Sequence, residues 1–146
     1  MKVRSNHIYM ILLFCIITSL LGCAGVQDYE IDIGEGYLIE RLSSHQIVIT
    51  DDHKFVISAK VIEVGYNEEF IIAKQIGLMD DPELSNSYQI LNENDVRYWI
   101  VNKKNKQIMG PLVNSDFQQK LTDLNINLEL KKIEDLPKQY DFFRSQ

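Results

Sequence analysis

Phe55-Val56-Ile57-Ser58-Ala59-Lys60-Val61-Ile62-Glu63-Val64 is the stretch on which the architecture turns. In an extended chain Phe55, Ile57, Ala59 and Val61 share one face, and Val56, Ile62 and Val64 share the other. A segment apolar on both faces is a strand covered on both sides. It reads either as one long central strand or as two pieces, and the choice decides whether the sheet is continuous.

Shorter strands separated by turn residues flank it. Upstream, Ile31 and Ile33 alternate with Asp32, Gly34-Glu35-Gly36 turns the chain, and Tyr37-Leu38-Ile39-Glu40-Arg41-Leu42 and Gln46-Ile47-Val48-Ile49-Thr50 follow, with Asp51-Asp52 as the next turn. Downstream, Asn67-Glu68 turns into the buried strand Phe70-Ile71-Ile72-Ala73. Tyr98-Trp99-Ile100-Val101 and Lys106-Gln107-Ile108-Met109 flank Asn102-Lys103-Lys104-Asn105, the pattern of a hairpin with a four-residue turn that Gly110-Pro111 closes. Residues 77–94 carry Asp80-Asp81-Pro82-Glu83 and several Asn, and they read as a long loop with a helical turn at Pro82.

The spacing predicts a helix over 115–125. Ser115 and Gln118 fit a capping box, Asp116 suits the first turn, and Phe117, Leu121 and Leu124 form one apolar stripe. Leu128-Glu129-Leu130-Lys131 alternates and suits an edge strand, and the aromatic tail Tyr140-Asp141-Phe142-Phe143 is expected to pack back. The expected fold class is α+β: an antiparallel β-meander of about six strands with one C-terminal α-helix packed on it.

The chain has 146 residues, 45% hydrophobic and 25% charged, which suits one folded domain rather than a disordered chain. Its 21 acidic against 15 basic residues, a net charge of -6, argue against nucleic acid as partner. Cysteine occurs only at Cys15 and Cys23, so a disulfide framework and a cysteine-rich zinc site are excluded.

The N-terminus carries the most specific signal. Lys2 and Arg4 precede an uncharged apolar run over 8–21, about 21 Å long as a helix and too short for a bilayer core of roughly 30 Å. Run and basic flank read as a secretory leader. The run ends Leu20-Leu21-Gly22-Cys23, which resembles the lipobox of bacterial lipoproteins, with Leu21 a less usual choice at its position. The resemblance implies a diacylglyceryl thioether on Cys23, cleavage after Gly22, and an acylated N-terminus that stable anchoring by several chains requires. The expected organisation is a lipoprotein signal peptide over 1–22, lipid anchor and short tether over 23–27, and a single extracytoplasmic domain over 28–146. Loss of Lys2 and Arg4 with the leader takes the net charge from -6 to -8, so the lipid rather than the protein surface would hold the domain at an anionic membrane. Cys15 would leave with the leader and Cys23 would be acylated, which removes thiol chemistry. The 19 Ile and 10 Asn against 3 Ala suggest an AT-rich genome, and in a Gram-negative host Ala24 would direct the lipoprotein to the outer membrane.

The ordered landmarks Asp28-Tyr29-Glu30, Gly36-Tyr37, Phe70-Ile71-Ile72-Ala73-Lys74-Gln75, Tyr98-Trp99-Ile100-Val101 and Gly110-Pro111-Leu112 resemble a family of small lipoproteins from Bacillus-like bacteria, domain of unknown function 3997. That resemblance implies the address and the single domain, and no activity, substrate or catalytic residue.

The remaining chemistry-bearing residues have plainer explanations. His45 and His53, with Asp51 and Asp52, offer metal ligands, but a strand between the two histidines would hold them about 25 Å apart. Ser43 and Ser44 beside His45 read as a turn, since adjacency does not supply triad geometry. Asp80, Asp81 and Glu83 lack the spacing of a calcium loop. Lys103, Lys104 and Lys106 make a basic hairpin tip expected to be solvated, although it could touch anionic lipid or a teichoic polymer, and Trp99 is expected in the core. The expectation is therefore a non-enzymatic extracytoplasmic lipoprotein that binds or scaffolds an envelope protein or polymer, with no catalytic residue, metal or cofactor. An inhibitor or exclusion factor acting on an incoming hydrolase or phage component is the alternative, and a cell-envelope hydrolase the third.

Overall fold

The computed structural model describes residues 29–84 and 88–138. Cys23, its tether and the tail residues Tyr140, Phe142 and Phe143 lie outside the described residues.

The doubly apolar stretch is two strands, and the break splits the chain into two sheets. Strands β1 (Tyr29–Asp32), β2 (Tyr37–Arg41), β3 (Ile47–Asp51) and β4 (Lys54–Ile57) form an antiparallel sheet in the order β1-β2-β3-β4. A corner at Ser58, Ala59 and Lys60 leads into the second antiparallel sheet. Its order is β8-β7-β6-β5-β9, built from β5 (Val61–Tyr66), β6 (Phe70–Asp80), β7 (Gln89–Asn102), β8 (Gln107–Leu112) and β9 (Lys131–Lys132). One short helix, α1 (Asn114–Asp123), and a 3-10 turn at Ile133–Asp135 complete the described elements.

The fold is thus mostly β, with two sheets of four and five strands, and the expected α+β single meander is corrected. The corner explains the difference. Lys60 N–H donates to the Ile76 carbonyl at 3.1 Å and Ile76 N–H donates back to Lys60 at 2.9 Å, which commits the chain after Ser58 to β6 rather than to β3. Residues before and after the corner fill one core from opposite sides. Ile31, Ile39, Ile49 and Ile57 enter it from the first sheet, and Val61, Val64, Ile71, Ala73 and Val101 from the second. The long apolar stretch is therefore the crossing between layers rather than a strand in the middle of one.

The second sheet is covered on both faces. Ile71, Ala73 and Val101 face the first sheet, while Ile72 and Ile100 alternate to the far face and pack with Phe117 and Ile126. This accounts for the continuous apolar run in β6.

Helix α1 departs from its expected details. Val113 is its N-cap and supplies no side-chain bond, and Ser115 Oγ donates to Asp116 Oδ1 at 3.1 Å, so the capping box does not form. Phe117 is buried and stacks on Tyr98 with ring centroids 4.8 Å apart, Leu121 is half-buried, and Leu124 is exposed. The stripe ends early because the chain turns at Asn125, which has φ 52, and Ile126 takes over the apolar contact through its N–H bond to the Leu121 carbonyl at 2.8 Å. Of the expected edge strand 128–131 only Lys131 pairs: residues 128–130 run unpaired up to β9, whose Lys131 and Lys132 oppose Val64 and Glu63.

The largest local difference lies at 77–94. Most of it is not loop but the outer half of the β6–β7 hairpin, in which Gly77, Leu78, Met79 and Asp80 pair with Asn92, Leu91, Ile90 and Gln89. Register slips between Ile76 and Gly77, so that residues 93–95 bulge from β7. Asp95 lies against Gly77, where any side chain would collide with its carboxylate, and pairs with Arg97. Asp80, Asn92 and Asn94, which read as loop, belong to the edge and bulge of a two-stranded arm, while residues 81–84 form a turn at Pro82.

The strands give the molecule two ends. The turns after β1, β3, β5 and β7 lie at one, the turn end. The β2–β3 loop, the 58–60 corner and the arm lie at the other, the arm end.

Candidate functional site

Lys103 is the most unusual polar residue. It begins the β7–β8 turn, yet it is only 3% exposed. Its Nζ donates to the carbonyl of Ile33 in the β1–β2 turn and to that of Asn67 in the β5–β6 turn, the latter at 2.6 Å, and it lies 5.7 Å from the centre of the Tyr66 ring. One ammonium thus ties three turns from two sheets. Gly34, at φ 88, leaves room for it, since a Cβ there would stand 3.2 Å from Nζ. Burial pushes the Lys103 amine below the ordinary lysine value, and the nearby carboxylates of Glu35, Asp32 and Glu68 oppose that shift. A shallow cleft of about 540 Å³ opens here, lined by Asp32, Gly34, Glu35, Tyr66, Glu68 and Lys103 among others.

The expectation of a solvated basic hairpin tip is corrected at Lys103 alone, since Lys104 and Lys106 are exposed. Lys104 pairs with Glu69 at 3.4 Å. Lys106 Nζ reaches Asp51 Oδ2 at 2.8 Å and sits 4.4 Å from the centre of the buried Tyr37 ring. Burial raises the Tyr37 phenol above its usual value, and the Lys106 ammonium beside it pulls the other way. Lys106 ties the second sheet to the first, while Lys104 joins two neighbouring turns of the second sheet. Nothing in the run of lysines and asparagines distinguishes the buried one, because burial is set by turns that close some 35 and 70 positions away.

The other candidates are dispersed. His45, before β3, meets Tyr88 at the base of the arm tip, with Nε2 3.5 Å from the hydroxyl, and among the described residues its Nδ1 is buried without a hydrogen-bond partner. His53, after β3, lies 3.5 Å from Glu40 at the opposite end of that strand. Ser43 Oγ accepts the Gln46 N–H at 3.1 Å, as a turn residue does, and Asp81 Oδ1 accepts the Glu83 N–H at 2.8 Å. Asp52 stands at φ 49 in the β3–β4 turn. Among the described residues no group of three or more His, Cys, Asp or Glu side chains is placed to hold a metal ion. Trp99 is half-buried against the inter-sheet core, with its indole N–H engaged by Gln75.

A second cleft of about 490 Å³ lies where segment 127–131 crosses β5 beside Leu136 and Pro137. Gly65 permits that crossing, because the Glu129 carbonyl occupies the space a Cβ would need.

These features define a two-sheet, mostly β domain whose polar residues chiefly fasten turns and corners. The chain belongs to the family described as protein of unknown function (DUF3997), whose model matches residues 34–134. The match runs from the β1–β2 turn to the 3-10 turn and covers part of the lining of each cleft. No curated protein and no solved structure matches the chain.

Proposed function

We propose that this protein is an extracytoplasmic lipoprotein of the bacterial envelope, acylated on Cys23, whose domain binds or scaffolds an envelope component without catalysing a reaction. The observation that carries the reading is Leu20-Leu21-Gly22-Cys23 at the end of a short apolar run behind Lys2 and Arg4. The bonds of Lys103, Ser43 and Asp81 to turn backbone support a scaffolding use of these side chains rather than proton or group transfer. Cells expressing the intact chain and Cys23→Ala, labelled with a fatty-acid probe and fractionated, test the reading. The intact chain is expected in the membrane with label, and the variant in neither. Equal retention and equal label in both would overturn it.

A further inference from the structure

The arm end carries several exposed apolar side chains. Met79 is 41% exposed on β6 and Leu84 47% just beyond it, while Tyr88, 48% exposed, begins the return of the arm. Leu42, 44% exposed, stands in the β2–β3 loop, and the contact of His45 with Tyr88 brings that loop against the arm.

The same end receives the chain from the N-terminus. Tyr29 opens β1 opposite Arg41, and Arg41 in turn opposes Ile47, so Tyr29 lies in the row of residues that borders the β2–β3 loop. Six Cα steps separate Tyr29 from Cys23, a reach of about 20 Å when extended. Two cations flank the entry point. The Arg41 guanidinium stands 5.8 Å from the centre of the Tyr29 ring and the Lys138 ammonium 5.2 Å.

We propose that the arm end is a bilayer-contacting face, seated on the lipid headgroups by Leu42, Met79, Leu84 and Tyr88. This rests on acylation of Cys23, which confines the domain to within a short tether of the membrane and makes even a weak apolar contact effective. Asp80, Asp81 and Glu83 share the arm with these side chains, so anionic lipid does not attract it. The contact is apolar and short-ranged, with Arg41 and Lys138 as its basic border. The turn end, with Lys103 and its cleft, then points away from the membrane toward soluble partners.

The experiment uses the intact acylated chain in vesicles of phosphatidylethanolamine and phosphatidylglycerol. Cys15 leaves with the leader and Cys23 is blocked by lipid, so an introduced cysteine is the sole free thiol. Leu84→Cys and Tyr88→Cys at the arm end, and Asn105→Cys at the turn end, each receive a small fluorophore, and bromine-substituted lipids serve as quencher. Loss of most fluorescence at 84 and 88, with none lost at 105, is the expected result. If the chain floats with the vesicles but all three positions stay unquenched, the contact is refuted while the anchor stands. If the chain does not float, both fail. A label at 84 shielded in cell membranes but untouched by brominated lipid would assign the arm to a protein partner and overturn the proposal.

Discussion

The indole N–H of Trp99 donates to Gln75 Oε1 at 2.8 Å, across neighbouring strands of the second sheet. The other end of the same amide donates to the carbonyls of Ser58 and Ala59, at 2.8 and 3.1 Å, and lies 3.2 Å from Ser58 Oγ. Gln75 is 1% exposed, so this one side chain joins the only tryptophan to the corner where the chain leaves the first sheet for the second. A buried amide costs free energy unless its donor and acceptor are both used, and here both are.

Replacing Gln75 with Leu keeps the volume but leaves the Trp99 N–H and two carbonyls without partners. Each buried group so orphaned costs about 1–3 kcal/mol, and we expect a total loss of roughly 2–4 kcal/mol. Urea unfolding followed by Trp99 fluorescence measures it directly. A loss below about 0.5 kcal/mol would mean that water satisfies the corner.

That corner also shows where sequence reading stops. Alternation identifies the strands, because a residue's face follows from its parity, and most strand positions were legible for that reason. Parity does not say which sheet a strand joins. Phe55 to Val64 is apolar on both faces whether it lies in one sheet or passes between two, and the partners that decide, Gln75 and Ile76, lie well beyond it. The arm reads as loop for a related reason. Its Asn and Asp residues look like turn punctuation, yet a two-stranded ribbon outside the core has little apolar demand on either face. At Lys103 no local signal exists, since its acceptors are backbone carbonyls, which every residue carries.

Helix α1 offers a graded test of packing. Phe117, 1% exposed and stacked on Tyr98, is expected to cost about 3–5 kcal/mol on truncation to Ala. Leu124→Ala, at a position 39% exposed, is expected to stay within about 0.5 kcal/mol. Equal effects at the two positions would show that the helix seats on the sheet differently.

Gly65 is predicted to tolerate no side chain. The Glu129 carbonyl sits where a Cβ would be, and it belongs to backbone that cannot swing aside as a side-chain tip can. We expect Gly65→Ala to destabilise by about 2 kcal/mol or more and to raise amide hydrogen exchange at Lys131 and Lys132, which pair with the same strand. Unchanged exchange at those amides would sink the idea that Gly65 holds the crossing.

Lys103 makes a prediction whose sign depends on pH. Its folded-state value lies below the ordinary 10.5, chiefly through burial, so folding disfavours its charged form. Below the folded value the amine is protonated in both states and its contribution is constant. Between the folded and the unfolded values the unfolded chain holds the proton that the folded one has released, and stability rises with pH across that alkaline window. Tyr37, raised above 10.0 by burial, acts oppositely: the unfolded phenol ionises first, and stability falls as pH rises. The two are separated by comparing the intact chain with Lys103→Met, which keeps the Tyr37 term and removes the lysine term. Loss of the bonds to Ile33 and Asn67 should leave the variant about 1–3 kcal/mol less stable at neutral pH. The gap between intact chain and variant should then widen as pH climbs toward 10.5. A gap that narrows over that range in urea titrations would mean that the carboxylates of Glu35, Asp32 and Glu68 outweigh burial and hold the ammonium charged.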